Sequence, residues 1–379
     1  MRSLGLYIHI PFCKRKCNYC DFYSLPTSDT SLISSYVDAL CSHIRLEGKN
    51  YSDFIVDSIF FGGGTPSLLS EGELTKIFEA INSCLNVSKN AEISLEANPG
   101  TLDFDKLSTM RRLGVNRLSI GLQSSHSCEL SCLGRIHNLD DFENSYAMAR
   151  EAGFDNISVD IMYALPNQKI EDFLKTLDYV LKKAPEHISS YCLKIEGSTP
   201  FAKTVKPEML PSEDTQYEMY LKMCELLEKN GYEQYEISNF ARNGKRCYHN
   251  MKYWLSMEYV SFGPSAHSYL DGKRYSYKND ISEYISDISN GNLPKRLIED
   301  EIDVTQSDRR DEYVMLKMRL CDGISNNEFK SLFGTTIEEA YPQISTFVKS
   351  GHIKNNDGRY SFTKEGFFVS SYILSEILF

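Results

Sequence analysis

Tyr7-Ile-His-Ile-Pro-Phe-Cys13-Lys-Arg-Lys-Cys17-Asn-Tyr-Cys20 sets three cysteines within eight residues, directly behind an apolar alternating segment. Three thiolates this close suit a soft metal centre, and iron–sulfur clusters are held by cysteine. A cubane has four irons, so three protein ligands leave one iron open to an external ligand. The same logic separates open catalytic zinc sites from closed structural ones. A zinc site or three unrelated thiols are the other readings of the spacing. Zinc usually wants a fourth ligand, and the motifs that follow in order weigh against both.

Outward from this loop the chain alternates strand and helix. Apolar, β-branched runs fall at 4–10, 56–61, 92–97, 117–122, 157–163, 187–193 and 232–237. Helix-period segments lie between them, at 31–47, 71–85, 103–113, 140–152, 170–183 and 213–229. Gly114, Gly153 and Gly231 each follow a helical pattern and precede a strand, where a C′ glycine is expected. Repeated βα units predict a parallel sheet with right-handed crossovers. Six to seven units suit an incomplete (β/α)6-type barrel, with ligands gathered at the C-terminal strand ends. A flat, doubly wound sheet shares the pattern.

Chemistry-bearing residues recur at those strand ends. Gly62-Gly63-Gly64-Thr65-Pro66 would let backbone approach a ligand with no Cβ in the way. Leu95-Glu96-Ala97-Asn98-Pro99 places a carboxylate at the third strand end. Gln123 offers donor and acceptor, and Arg135 a planar fork suited to a carboxylate. Asp160 is an acid inside an apolar run and must face a ligand or partner, since an unpaired buried charge is costly.

Over 379 residues the net charge is −11, which argues against general affinity for nucleic acid. Eleven cysteines, an odd number, in a long chain without a signal peptide point to a reducing cytoplasm rather than to disulfides. Cys128 and Cys132 stand four apart on an expected helix and could supply half a metal site, with no partner pair evident. No apolar stretch approaches the ~20 residues of a membrane span.

The order of cysteine triad, GGGTP, LEANP, LSIGLQS, LGRIH and the Asp160 strand resembles the HemN/HemW group of radical-SAM proteins, clearly over about residues 1–270. The resemblance implies a [4Fe-4S] cluster on Cys13, Cys17 and Cys20, with S-adenosylmethionine at the open iron. It implies Tyr7 and Tyr19 around that cofactor, and Gly63, Gly64 and Thr65 at its methionine moiety. Glu96 would meet its amino end or ribose, Arg135 its carboxylate, and Gln123 and Asp160 the ribose hydroxyls. Lys14, Arg15 and Lys16 would offset cluster charge. No residue is assigned as catalytic.

Within this group the oxygen-independent coproporphyrinogen III oxidases carry a fourth cysteine, where this chain has Phe22, and a long N-terminal arm, where only six residues precede Tyr7. Tyr248-His249-Asn250-Met251-Lys252-Tyr253-Trp254 resembles the HNxxYW motif of heme chaperones and holds the single tryptophan. Histidine is a natural axial ligand of heme iron, and aromatics can cover a porphyrin. The resemblance therefore implies heme as cargo, bound by His249, Tyr253 and Trp254 with His267 as second candidate ligand. It also implies heme-acceptor proteins, and an electron donor such as flavodoxin or ferredoxin if the cofactor is cleaved. The other reading is a radical-SAM decarboxylase of porphyrin biosynthesis. The expected organisation is a radical-SAM partial barrel over 1–240, a segment 241–295 carrying the motif, and a winged-helix-like C-terminal domain over 296–379.

Overall fold

A computed structural model describes residues 1–292 and 294–379. Twelve strands build its main sheet. They are β1 Arg2–Ile10, β2 Phe54–Gly63, β3 Val87–Ala97, β4 Arg117–Gln123, β5 Ile157–Tyr163 and β6 His187–Cys192, then β7 Glu233–Gln234, β8 Asn239–Ala241, β9 Tyr259–Phe262, β10 His267–Leu270, β11 Lys273–Tyr277 and β12 Ile298–Asp303. The order across the sheet is β12-β11-β10-β9-β1-β2-β3-β4-β5-β6-β8-β7. The stretch from β9 to β6 is parallel, and both flanks are antiparallel. The expected strand at 232–237 is thus only the two-residue edge β7, antiparallel to β8. Residues beyond 240 add four more strands to the same sheet rather than standing apart from it.

Helices cover the outer face. They are α1 Thr30–Glu47, α2 Glu71–Cys84, α3 Phe104–Arg112, α4 Leu139–Glu151, α5 Ile170–Lys183 and α6 Glu213–Lys229. Their starts are encoded locally. Asp29 accepts from the Ser31 and Leu32 amides, and Ser70 with Glu73 and Asn138 with Asp141 form reciprocal capping boxes. The apolar stripe of α5, Phe173, Leu177 and Val180, is fully buried against the sheet.

The inner face is polar. In β4 every residue is buried, yet Arg117, Ser119 and Gln123 alternate with Leu118, Ile120 and Leu122. One set packs under the helices and the other points inward. Six neighbouring strands laid flat would span about 24 Å. Tyr7, Phe60, Glu96, Arg117, Asp160 and Tyr191, one from each strand β1 to β6, nonetheless line a single cavity of about 200 Å³. The sheet must therefore curl around it, which removes the flat alternative. Its edges, β12 and β7, leave it open.

Residues after β12 form helices Gln306–Lys317 and Asn326–Phe333 and a three-stranded sheet of Ile324–Ser325, Ile353–Asn356 and Arg359–Phe362. This unit docks on the β7 edge, where the Cys321 amide donates to the Tyr235 carbonyl at 3.0 Å.

Candidate cluster and cofactor site

Cys13 closes a clasp. Phe12–Cys13 pairs with Leu25–Pro26, and the Thr27 amide donates to the Cys13 carbonyl at 2.9 Å, so the cysteine loop is pinned at its base. Cys13 is buried while Cys17 and Cys20 are partly exposed. The Thr65 hydroxyl and an Arg135 N–H each reach a sulfur at 3.5 Å, that of Cys13 and of Cys17 respectively. Burial pushes the Cys13 thiol up and that of Cys20 to about 11, with the neighbouring sulfurs adding to both. Ligation would have to displace those protons, as cluster assembly does.

Among the described residues no three His, Cys, Asp or Glu side chains already converge as a single-ion site. A cubane seats each cysteine on a different iron, so its donors stand wider apart. The donor set fits such a cluster: three thiols on one pinned loop, a guanidinium against one sulfur, and Lys14, Arg15 and Lys16 alongside.

The glycine turn leaves no room for side chains. A Cβ on Gly64 would lie 2.5 Å from the Phe12 carbonyl oxygen and 2.8 Å from its nitrogen, backbone atoms that cannot yield. Gly63 adopts φ +108°, and a Cβ there would meet the His9 ring at 2.5 Å. These glycines let GGGTP lie directly on the backbone of the cysteine loop.

Arg135 joins four motifs. It donates to Asn98 Oδ1 at 2.7 Å, to the Gly121 carbonyl at 2.6 Å and to Cys17 Sγ, while Asn98 donates to Thr65 Oγ1 at 2.9 Å. The fork expected to hold a cofactor carboxylate is largely engaged with protein, and its buried Nε alone lacks an acceptor. Tyr7 stacks on Phe60 with ring centroids 6.3 Å apart and reaches His9 Nδ1 at 3.2 Å. Tyr19 packs beside Leu133, Met162, Leu165 and Phe201. Gln123 is buried and turns the chain out of β4 at φ +68°.

Deeper in the cavity, burial and the neighbouring Asp160 push the Glu96 carboxyl up to about 8. Burial raises Asp160 as well, although Ser119 Oγ lies 3.0 Å from both of its oxygens. Between these acids stands Arg117, buried, its Nε without an acceptor and its charge favouring both carboxylates. The sequence reading passed over Arg117. The signal was present: a cation opening a fully buried strand carries the same cost as Asp160 does.

The HNxxYW-like segment forms helix α7, Tyr248–Trp254, beneath that cavity, with Asn250 in its lining. Glu92 accepts the Tyr248 and His249 amides, each at 3.0 Å, so a carboxylate caps the helix N-terminus. Lys252 is fully buried and pairs with Asp57 at 2.7 Å. His249 is fully buried, with Nδ1 at 2.9 Å from Ser58 Oγ and Nε2 at 2.8 Å from the Tyr253 hydroxyl. Burial holds its pKa at about 3, so the ring is neutral. Tyr253 and Trp254 are partly buried rather than presented as a flat face. Cys128 is exposed on the helix Ser127–Leu133 and Cys132 partly buried near its end.

A pinned three-cysteine loop, a glycine turn against it and the acids Glu96 on β3 and Asp160 on β5 of a curled parallel sheet define a radical-SAM protein. The family model of the radical SAM superfamily matches residues 7–180, and that of the HemN C-terminal domain matches 304–369. Coproporphyrinogen III oxidase (HemN) from Escherichia coli has a similar fold, with TM-score 0.87 at 22% identity over 100% of this chain and 90% of that one. The heme chaperone HemW of Bacillus subtilis strain 168 is 33% identical over 98% of both chains, and that of Escherichia coli K12 is 32% identical over 96% of this chain and 95% of its own. The chain belongs to the HemW family. No described helix is long and apolar enough to cross a membrane.

Proposed function

We propose that this protein binds heme and passes it to acceptor proteins, and that it carries a [4Fe-4S] cluster on Cys13, Cys17 and Cys20 with S-adenosylmethionine at the open iron. The contact of Arg135 with Cys17 Sγ, made while the same fork holds Asn98 and Gly121, carries the cluster-and-cofactor part. It ties the cysteine loop to the strand-end motifs that would hold the cofactor. When bound, the pair can supply reductive cleavage of a sulfonium. The chain's own part is to seat the cofactor over Glu96, Arg117 and Asp160 and to keep water from it.

The heme part rests on likeness to curated heme chaperones over nearly the full chain, and on Phe22 where the oxidases have a fourth cysteine. Phe22 is 68% exposed at the cavity mouth. The oxidase reading has a similar fold behind it, at an identity that shows the fold alone. We place the protein in the cytoplasm, where thiols stay reduced.

Anaerobically reconstituted protein separates the two readings. The chaperone reading expects heme binding and no decarboxylation of coproporphyrinogen III with cofactor and reductant supplied. Robust conversion to protoporphyrinogen IX would overturn it.

A further inference from the structure

Resting on the heme-delivery reading, we propose that the axial ligand of the cargo heme is His267, on the rim of the barrel mouth, and not His249.

The eight histidines of the chain sort by what their rings already do. His9 spends its nitrogens on the Tyr7 hydroxyl and the Tyr23 carbonyl, His43 on Tyr284 and Glu47, and His187 on Ser158 and Tyr235. His249 is likewise saturated by Ser58 and Tyr253. His137 is buried with Nε2 on the Leu122 carbonyl. His126 and His352 are each engaged once, by the Asp172 carbonyl and the Ser350 hydroxyl. His267 is exposed, and among the described residues its ring has no hydrogen-bond partner. An iron needs a ring nitrogen with its lone pair free and space for a macrocycle in front of it. His126 and His352 keep one nitrogen each but are half-buried; among the described residues His267 alone is exposed with neither ring nitrogen engaged.

Its position supports the same assignment. His267 opens β10, which runs antiparallel to β9, so it stands at the C-terminal end of the parallel strands, the end that bears the cysteine loop. It lies close enough to His9 for its charge to be felt there, and His9 stacks on Tyr23 at 6.3 Å. Tyr23 adjoins Phe22, the exposed aromatic of the mouth, which can cover part of a porphyrin face. The charged groups near enough to be felt at His267 are Arg274, Asp300 and Glu299, and of these the Arg274 cation suits a propionate. Partial burial and the Arg274 cation hold the His267 pKa below its ordinary value, which favours the neutral, ligating form.

The test is a heme titration of the full-length protein, before and after cluster reconstitution, read by Soret position and affinity. His267→Ala should shift the Soret band and weaken binding about tenfold or more, and added imidazole should restore the band, since a missing axial ligand can be replaced from solution. His249→Gln, which keeps hydrogen-bonding partners for Ser58 and Tyr253, should leave the spectrum unchanged. A wild-type spectrum and affinity in His267→Ala would overturn the assignment. So would loss of the heme signature in His249→Gln with His267 intact. Absence of heme binding by the wild type would instead bring down the delivery reading itself, and this proposal with it.

Discussion

Arg117 sits between Glu92, Glu96 and Asp160 with no ion pair among the described residues, a buried cation balanced by the field of several acids. Arg135 differs, because every contact it makes is directional. Arg135→Lys keeps the charge but not the fork, and should weaken S-adenosylmethionine binding by about tenfold, on the order of 1.5 kcal/mol for one charged hydrogen bond. Equilibrium binding under argon reads this directly, and unchanged affinity would refute the role given to the fork. Glu236 offers a pH test. It is almost fully buried, and burial pushes its carboxyl up to about 7, with the Ser238 and Asn239 backbone pulling weakly the other way. Its folded pKa lies above the unfolded value, so the folded state keeps a proton that the unfolded state releases. Stability is then fullest below about pH 4.5 and is lost as pH rises through about 7. Glu236→Gln should flatten that decline, raising Tm relative to wild type more at pH 8 than at pH 5. An equal difference at both pH values would mean that Glu236 does not titrate as described.

Helix α7 shows how an element can carry a family motif and still be built as structure. Its N-terminus is capped by Glu92, its Lys252 is sealed against Asp57 and Ser3, and a Cβ at Gly5 would meet Lys252 Cδ at 2.9 Å. Lys252→Met strands the Asp57 charge and should cost about 3 kcal/mol in urea unfolding, whereas pairing it with Asp57→Asn should recover part of the loss. No recovery in the double variant would mean that Lys252 acts through its packed stem rather than its charge. The glycine turn makes the complementary case. Gly64→Ala drives a methyl into the Phe12 backbone and should reduce cluster iron after reconstitution while leaving far-UV circular dichroism near wild type. Full iron content in that variant would show that the turn need not touch the cysteine loop.

At the scale of the whole chain the cluster and the cargo site should separate. Replacing Cys13, Cys17 and Cys20 together by serine should abolish cluster iron, because serine is a poor ligand in a sulfur-held site, yet leave heme binding in place. Full cluster content in that variant would place the ligands among the other cysteines. The C-terminal unit covers the β7 edge and the buried Glu236 through the bridge to Leu320, and the Arg274–Glu312 and Lys364–Glu228 ion pairs and the Phe368 ring against Tyr217 and Tyr220 join it to the barrel. We propose the division 1–240, 241–295 and 296–379 as an organisation of roles, although the sheet itself continues to Asp303.

Local rules carried much of this protein. Caps, 3.6-residue stripes and C′ glycines set the helices α1 to α6 within a residue or two of expectation, and Gly114, Gly153 and Gly231 take the positive φ values that role requires. The cysteine spacing and the acid in β5 marked the site, because a thiol triad and a buried charge both demand a partner wherever they fold. What the sequence could not show was set by residues far apart in the chain. The polar face of the parallel strands was hidden, because a sheet buried on both faces loses the simple alternation of core and solvent. Arg117 was legible as a cation opening an apolar run, but which acids it would face was set by the neighbouring strands. Whether His249 or His267 has a free ring was decided by Ser58 and by the path of β9 to β10, contacts 191 residues apart in one case. A histidine's chemistry depends on what meets its nitrogens, and only the tertiary structure brings those groups together.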